Sequence, residues 1–316
     1  MPLSLSELVT GLNKGVLVMN FANLAVEAIE KFGEYPSDFF EGTWYTNTEM
    51  VARGKSLATR LQSLGVGPGD RVLVMMHSCM EVPNAFQAIA RLGAISIPIM
   101  PQLVANEVRY ILEDSGAHTA ITSPMLAPVV SEASQGLSGF KQVLTFGESD
   151  VESLNIDNCF EEQEYESIAE CSADDLAVLV YTSGTTGNPK GVMLSHGNLI
   201  ENARSVGAMF DLPRDYRTMM VLPMSHVYGI LLMNMGFLLG GASAMLPWFD
   251  TERALQTIQD FKVERCSLVP AMMVAMLQHP NRDQYDYSSL ERISAGSAPL
   301  PEEVRVAFEQ AFSCRV

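Results

Sequence analysis

The chain alternates between short apolar runs and longer segments of helical spacing. Residues 71–76 form an unbroken apolar run after Arg71, with no polar alternation. Such a run predicts a strand buried on both faces, as in a parallel sheet. A helical pattern precedes it: Met50, Leu57, Leu61 and Leu64 recur at the spacing of one helix face. Tyr45-Thr46-Asn47-Thr48-Glu49 supplies its cap, and the Gly65–Asp70 turn ends it. Further along, a helix is expected at 81–92, a strand at 94–99, a helix at 105–115 and a strand at 119–122. Residues 176–180 (Leu-Ala-Val-Leu-Val) form another buried strand. The alternation then continues with strands at 218–222, 265–269 and 292–295 and helices at 251–261, 271–279 and 301–312. Regular alternation of this kind predicts an α/β fold: two parallel-sheet lobes covered by helices.

Between them, residues 148–175 are crowded with Asp and Glu. This stretch reads as a solvated connection between lobes, although a docking surface for a basic partner fits too. It divides the chain into a first lobe at 1–170 and a second at 171–316. Residues 227–246 contain no charge over twenty positions, long enough for a membrane span. Four glycines and Asn234 interrupt the run and Pro247 closes it, so a buried helix and strand are preferred to an integral span.

The net charge of −17 opposes binding to nucleic acid or anionic lipid. Five scattered cysteines without a C-x-x-C pair suggest reduced thiols and a cytoplasmic location. The amino-terminal residues lack a basic segment followed by an apolar one, so no signal peptide is read there. His77, His118 and His279 have no ligand-spaced partners for a metal.

The chemistry concentrates in Tyr181–His196, Y-T-S-G-T-T-G-N-P-K-G-V-M-L-S-H. Hydroxyls (Thr182, Ser183, Thr185, Thr186), glycines (Gly184, Gly187) and Lys190 follow a buried strand. Glycines admit an anion close to backbone N–H groups, hydroxyls add donors, and the lysine adds charge. Together they suit a triphosphate. The spacing is not that of the common P-loop, because Asn188 and Pro189 separate Gly187 from Lys190.

This string resembles the signature loop of the acyl-adenylate-forming superfamily: acyl-CoA synthetases, aryl-CoA ligases, peptide-synthetase adenylation domains and beetle luciferases. Leu222-Pro223-Met224-Ser225-His226-Val227-Tyr228-Gly229 resembles the second landmark of that superfamily, and Gly296-Ser297-Ala298-Pro299-Leu300 the third. The resemblance implies an ATP-dependent carboxylate–CoA ligase acting through an acyl-adenylate. It places residues 182–187 and Lys190 on the phosphates of ATP, with Thr185 also touching Mg2+. His226 would position the substrate carboxylate, making it and Lys190 the groups nearest the chemistry. Val227, Gly229 and Val269 would border the acyl pocket, and Gly296, Ser297, Ala298 and Pro299 would pass close to adenine. ATP, Mg2+ and coenzyme A are the implied cofactors and co-substrates. A fatty acid is the favoured acid, with an aryl acid nearly as suitable. The pattern also implies later segments, among them a Y-G-x-T-E motif and a small C-terminal domain with a catalytic lysine. The chain is therefore expected to be an N-terminal portion, inactive alone or acting only as an ATP- or acyl-binding module.

Overall fold

The computed structural model describes residues 19–161, 164–182, 188–209 and 215–316. Helix α1 (Asn23–Phe32) comes first, then strands β1 (Pro36–Phe40) and β2 (Thr43–Thr46) and helix α2 (Asn47–Ser63). The start of α2 is set by a capping box. The Glu49 N–H donates to Thr46 Oγ1 at 3.1 Å, and the Thr46 N–H donates to the Glu49 carboxylate at 2.7 Å.

Alternation follows through β3 (Arg71–Met75), α3 (Glu81–Arg91), β4 (Ile95–Pro98), α4 (Ala105–Ser115), β5 (Thr119–Thr122), α5 (Ala127–Ser134), β6 (Gln142–Thr145) and β7 (Leu154–Asn155). Next come β8 (Leu176–Thr182), β9 (Lys190–Ser195), α6 (His196–Ala208), β10 (Arg217–Met220), α7 (Val227–Leu239) and β11 (Ala242–Met245). The last elements are α8 (Thr251–Phe261), β12 (Arg265–Leu268), α9 (Pro270–Gln278), β13 (Arg292–Ala295) and α10 (Glu302–Phe312).

Two sheets result. The first has the order β7-β6-β5-β3-β4-β8-β9 and the second β13-β12-β10-β11-β1-β2. Both are parallel except at one edge, where β8–β9 and β1–β2 pair antiparallel. The expected α/β architecture of two helix-covered sheets is present. The sheets do not divide the chain at residue 170, however. β8 and β9 extend the first sheet beside β4, and β1 and β2 extend the second beside β11. The hydrophobic pattern specifies strands but not their neighbours, which depend on contacts remote in sequence.

The acidic stretch runs back along the first lobe. Lys55 Nζ pairs with Glu164 at 3.0 Å and Glu166 at 2.9 Å. The Ala169 N–H donates to the Arg91 carbonyl at 2.8 Å. The segment thereby delivers the chain to β8, next to β4.

Residues 227–246 form α7, closed by Gly240 in the left-handed conformation, and then β11. Among the described residues no helix is long and apolar enough to cross a membrane. α7 lies where the sheets meet. Its Ile230 and Met233 share one buried cluster with Val72 and Val74 of β3, Met220 of β10 and Met245 of β11. A second cluster fills the far side of the second sheet, and a third the far side of the first.

Candidate functional site

The three sequence landmarks all fall at carboxyl ends of parallel strands, the usual place for ligands in open α/β sheets. The first is the β8–β9 hairpin. Thr182 and Lys190 are directly paired across its mouth, so both flank the connecting loop. Lys190 is exposed and stands at the start of β9. Ser183, Gly184, Thr185, Thr186 and Gly187 lie outside the described residues. Below the loop, the Tyr181 hydroxyl donates to the Asp114 carboxylate at 2.6 Å. The Tyr181 ring also lies against Gly191, fixing the hairpin to α4 and to itself.

The second landmark is the turn between β10 and α7. His226 caps α7: its Nδ1 accepts from the Tyr228 N–H at 3.3 Å. The imidazole is exposed. Gly229 is buried, and a β-carbon there would lie 2.1 Å from the Pro223 carbonyl oxygen. Its missing side chain closes this turn against its own backbone.

The third landmark follows β13. The Gly296 N–H donates to the Leu268 carbonyl at 3.2 Å, which ties it to β12. Ser297 takes φ +66°, a strained setting for a residue with a β-carbon. Ser297, Ala298 and Pro299 are exposed and lead into α10. Tyr228 joins the second and third landmarks. Its ring stands over Gly296, and its hydroxyl is 3.1 Å from Ser267 Oγ.

The two sheets face one another at these ends. The Ser78 N–H donates to the Pro247 carbonyl at 3.3 Å, from the first lobe to the second. Ser225 donates to Met100 Sδ at 3.0 Å. β4 pairs with β8 at Ser96 and Val178, so Met100, just past the end of β4, and Thr182, the last residue of β8, lie towards the same edge of the sheet. A cleft of about 290 Å³ between the sheets is bordered by His77, Pro101, Pro223, Ser225 and Trp248. His77 and Trp248 meet edge to face across it, with ring centroids 5.8 Å apart.

Beneath α7 lies a cavity of about 190 Å³. Tyr228 and Ser294 line the end nearest the landmarks, and Met50, Met220, Met224 and Met235 line much of the rest. His226, Val227, Gly229 and Val269 do not line it. The sequence reading named Tyr228 only as part of its motif and missed Ser267; a strand–helix junction gives no signal of what crosses it. Among the described residues no cluster of His, Cys, Asp or Glu could hold a metal ion.

A family model described as "AMP-binding enzyme" matches residues 26–316. The chain belongs to the AMP-binding enzyme family. Among curated members, a long-chain-fatty-acid–CoA ligase of Bacillus subtilis is 29% identical over 91% of this chain and 57% of its own length. A feruloyl-CoA synthase of an Amycolatopsis species is 30% identical over 83% and 51%. A 4-coumarate–CoA ligase of rice is 32% identical over 81% and 48%. The chain thus spans about half the length of the curated relatives it matches. Among solved AMP-binding enzymes, the inhibitor-bound N-terminal domain of FACL13 from Mycobacterium tuberculosis superposes with a TM-score of 0.85. It is 27% identical, over 94% of this chain and 74% of that one. An anthranilate CoA ligase in complex with anthranoyl-AMP shares the fold, with a TM-score of 0.90 at 24% identity, over 97% and 60%.

Proposed function

We propose that this protein serves a carboxylate–CoA ligase that activates an apolar acid with ATP. The substrate carboxylate attacks the α-phosphorus of ATP and pyrophosphate leaves as an acyl-adenylate forms. The thiol of coenzyme A then attacks the acyl carbon and AMP departs. A carboxylate is already ionised at neutral pH and needs no general base. The work of the protein is positioning and neutralisation of charge.

One observation carries this reading. Ser225 of the second landmark bonds Met100, just past the end of β4, and the neighbouring strand β8 ends at Thr182, which pairs with Lys190, so the mouth of the β8–β9 hairpin and an apolar cavity lie at the same edge of two sheets. Lys190 offsets phosphate charge beside residues 182–187, and Mg2+, by the family resemblance, would sit near Thr185. His226 orients the carboxylate at the mouth, while residues 296–299 lie along the adenine. The cavity volume supports a compact acyl group. It is little larger than the ~150 Å³ engineered cavity that holds benzene, which favours an aryl or medium-chain acid over a fully enclosed long chain. The acids named for the relatives include both long-chain fatty acids and ferulate.

The test is carboxylate-dependent ATP–pyrophosphate exchange on the full-length protein, across fatty, aryl and amino acids. Exchange with a fatty or aryl acid is expected. Exchange with amino acids alone, or with no acid in a folded protein that binds ATP, would overturn the reading.

A further inference from the structure

Asp114 stands at an unfavourable place. It is the next-to-last residue of α4, which Gly116 closes in the left-handed conformation. The carboxyl end of a helix carries partial negative charge, so carboxylates there lower its stability. The last turn of α4 nevertheless holds Glu113 and Asp114 and no basic residue. Arg109, one turn earlier, offsets Glu113 at 3.1 Å. Asp114 instead accepts from the Tyr181 hydroxyl at 2.6 Å, a length typical of a charge-assisted O–H···O bond. Its carboxylate is exposed, and the stability of α4 does not explain it. Local rules are broken in this way chiefly at functional positions.

Tyr181 is held at a second point. It pairs with Gly191 across the β8–β9 hairpin, and Thr182 pairs with Lys190. A β-carbon at Gly191 would lie 3.2 Å from Tyr181 Cζ and 3.4 Å from its hydroxyl oxygen. The bare glycine therefore leaves room for the ring against β9. An aromatic ring over a cross-strand glycine pins the register of the pair.

Successive side chains of a strand point to opposite faces. Leu179 and Tyr181 belong to the cluster on the far side of the first sheet, Val178 and Val180 to the cluster shared with α7. Thr182 continues the second series, and its partner Lys190 shares its face. Both therefore turn towards the side on which α7 and the second landmark lie. Tyr181 anchors the outer face of the hairpin end, and the pair beside it serves the inner face. A shift of Tyr181 moves Thr182 and Lys190 with it.

We propose that Asp114 is a positioning residue for ATP: through its bond to Tyr181 it fixes the direction in which Thr182 and Lys190 meet the phosphates. The proposal rests on the acid-activating function proposed above. It adds a residue of α4, outside all three landmarks, to the handling of the nucleotide.

The charge of Asp114 gives the test its sign. By its field alone a carboxylate repels a triphosphate, so its removal would tighten ATP binding. Removal of a positioning bond weakens it. The experiment is calorimetric titration of the full-length protein with ATP, beside thermal melts. Tyr181→Phe, which keeps the ring over Gly191, and Asp114→Ala are each expected to weaken ATP at least about fivefold, the worth of one net hydrogen bond. The double variant should be no weaker than either alone. Asp114→Asn, which loses the charge but keeps an acceptor, should stay close to the unaltered protein. Tyr181→Phe carries the test by itself if Asp114→Ala does not fold. Unchanged or tighter ATP binding in the folded variants, whatever their melts, would overturn this proposal and leave the acid-activating reading standing. So would an additive loss in the double variant. No ATP binding by the folded, unaltered protein would overturn both.

Discussion

The Tyr228 ring lies so close over Gly296 that a β-carbon at Gly296 would stand 2.9 Å from Tyr228 Cε1. Two landmarks some seventy positions apart are thereby fitted to one another at the mouth of the cavity. Gly296→Ala should tilt the tyrosine and break its contact with Ser267. Since a side chain rather than backbone must give way, the stability loss should be modest, about 1 kcal/mol. Acid binding should fall several-fold. Thermal unfolding with and without acid separates the two effects.

Two glycines of α7 should respond in opposite directions to alanine. At Gly229 the new methyl would meet the Pro223 carbonyl at 2.1 Å, and backbone cannot step aside cheaply. A loss of about 3 kcal/mol or more is expected. At Gly236 no atom lies within 4 Å of the added carbon. There alanine should stabilise the helix by up to about 1 kcal/mol. Urea unfolding of both variants checks the contrast.

Lys190 is exposed and its hairpin partner is Thr182. Lys190→Met should leave stability within about 0.5 kcal/mol. Affinity for ATP should fall about tenfold or more, the worth of a charge-assisted phosphate contact. Nucleotide titration monitored by calorimetry, beside a thermal melt, tests both halves.

Ser297 holds its positive φ at an exposed position. Ser297→Val should cost over 1 kcal/mol although it removes no core contact, because β-branching is poorly tolerated there. Ser297→Gly should be close to neutral. Comparison of the two melts isolates the backbone contribution.

His196 and Asp38 should give opposite pH dependences. His196 is buried and its Nδ1 accepts from the Phe21 N–H at 3.1 Å. Burial lowers its imidazole to about 4. The unfolded state binds the proton more readily, so this contribution is full above about 6.5 and is lost as pH falls towards 4. Asp38 is raised to about 6. Its favourable contribution is full below the usual carboxylate value near 3.8 and is lost as pH rises through 6. His196→Gln should flatten the acid limb of a stability–pH curve. Asp38→Asn should raise stability at pH 7.5 relative to pH 4.5.

Several of these elements were legible in the sequence. The box at Thr46 and Glu49, the apolar run of β3 and the helix and strand within 227–246 all follow from local pattern, because caps and periodicity are local physics. The landmarks were legible as strings. Their mutual fit was not: the Tyr228–Gly296 approach and the Ser225–Met100 bond join residues distant along the chain. The polar lining of the cavity was hidden for a second reason. Asp38, Ser243, Thr218, Arg265 and Arg292 come from five different short strands, and only the register aligns them.

The crossed membership of the sheets bears on how the molecule is made. A cut near residue 170 would leave the first piece without β8 and β9 and carrying the β1–β2 hairpin with no β11 to join. The second piece would hold four strands of one sheet and two orphans of the other. Neither half is a self-sufficient folding unit, and each holds the missing edge of its counterpart. During synthesis the first sheet cannot be completed until residue 195 has emerged, and β1 and β2 must wait for β11. Separately expressed halves should be insoluble apart and should recover structure only when mixed or produced together.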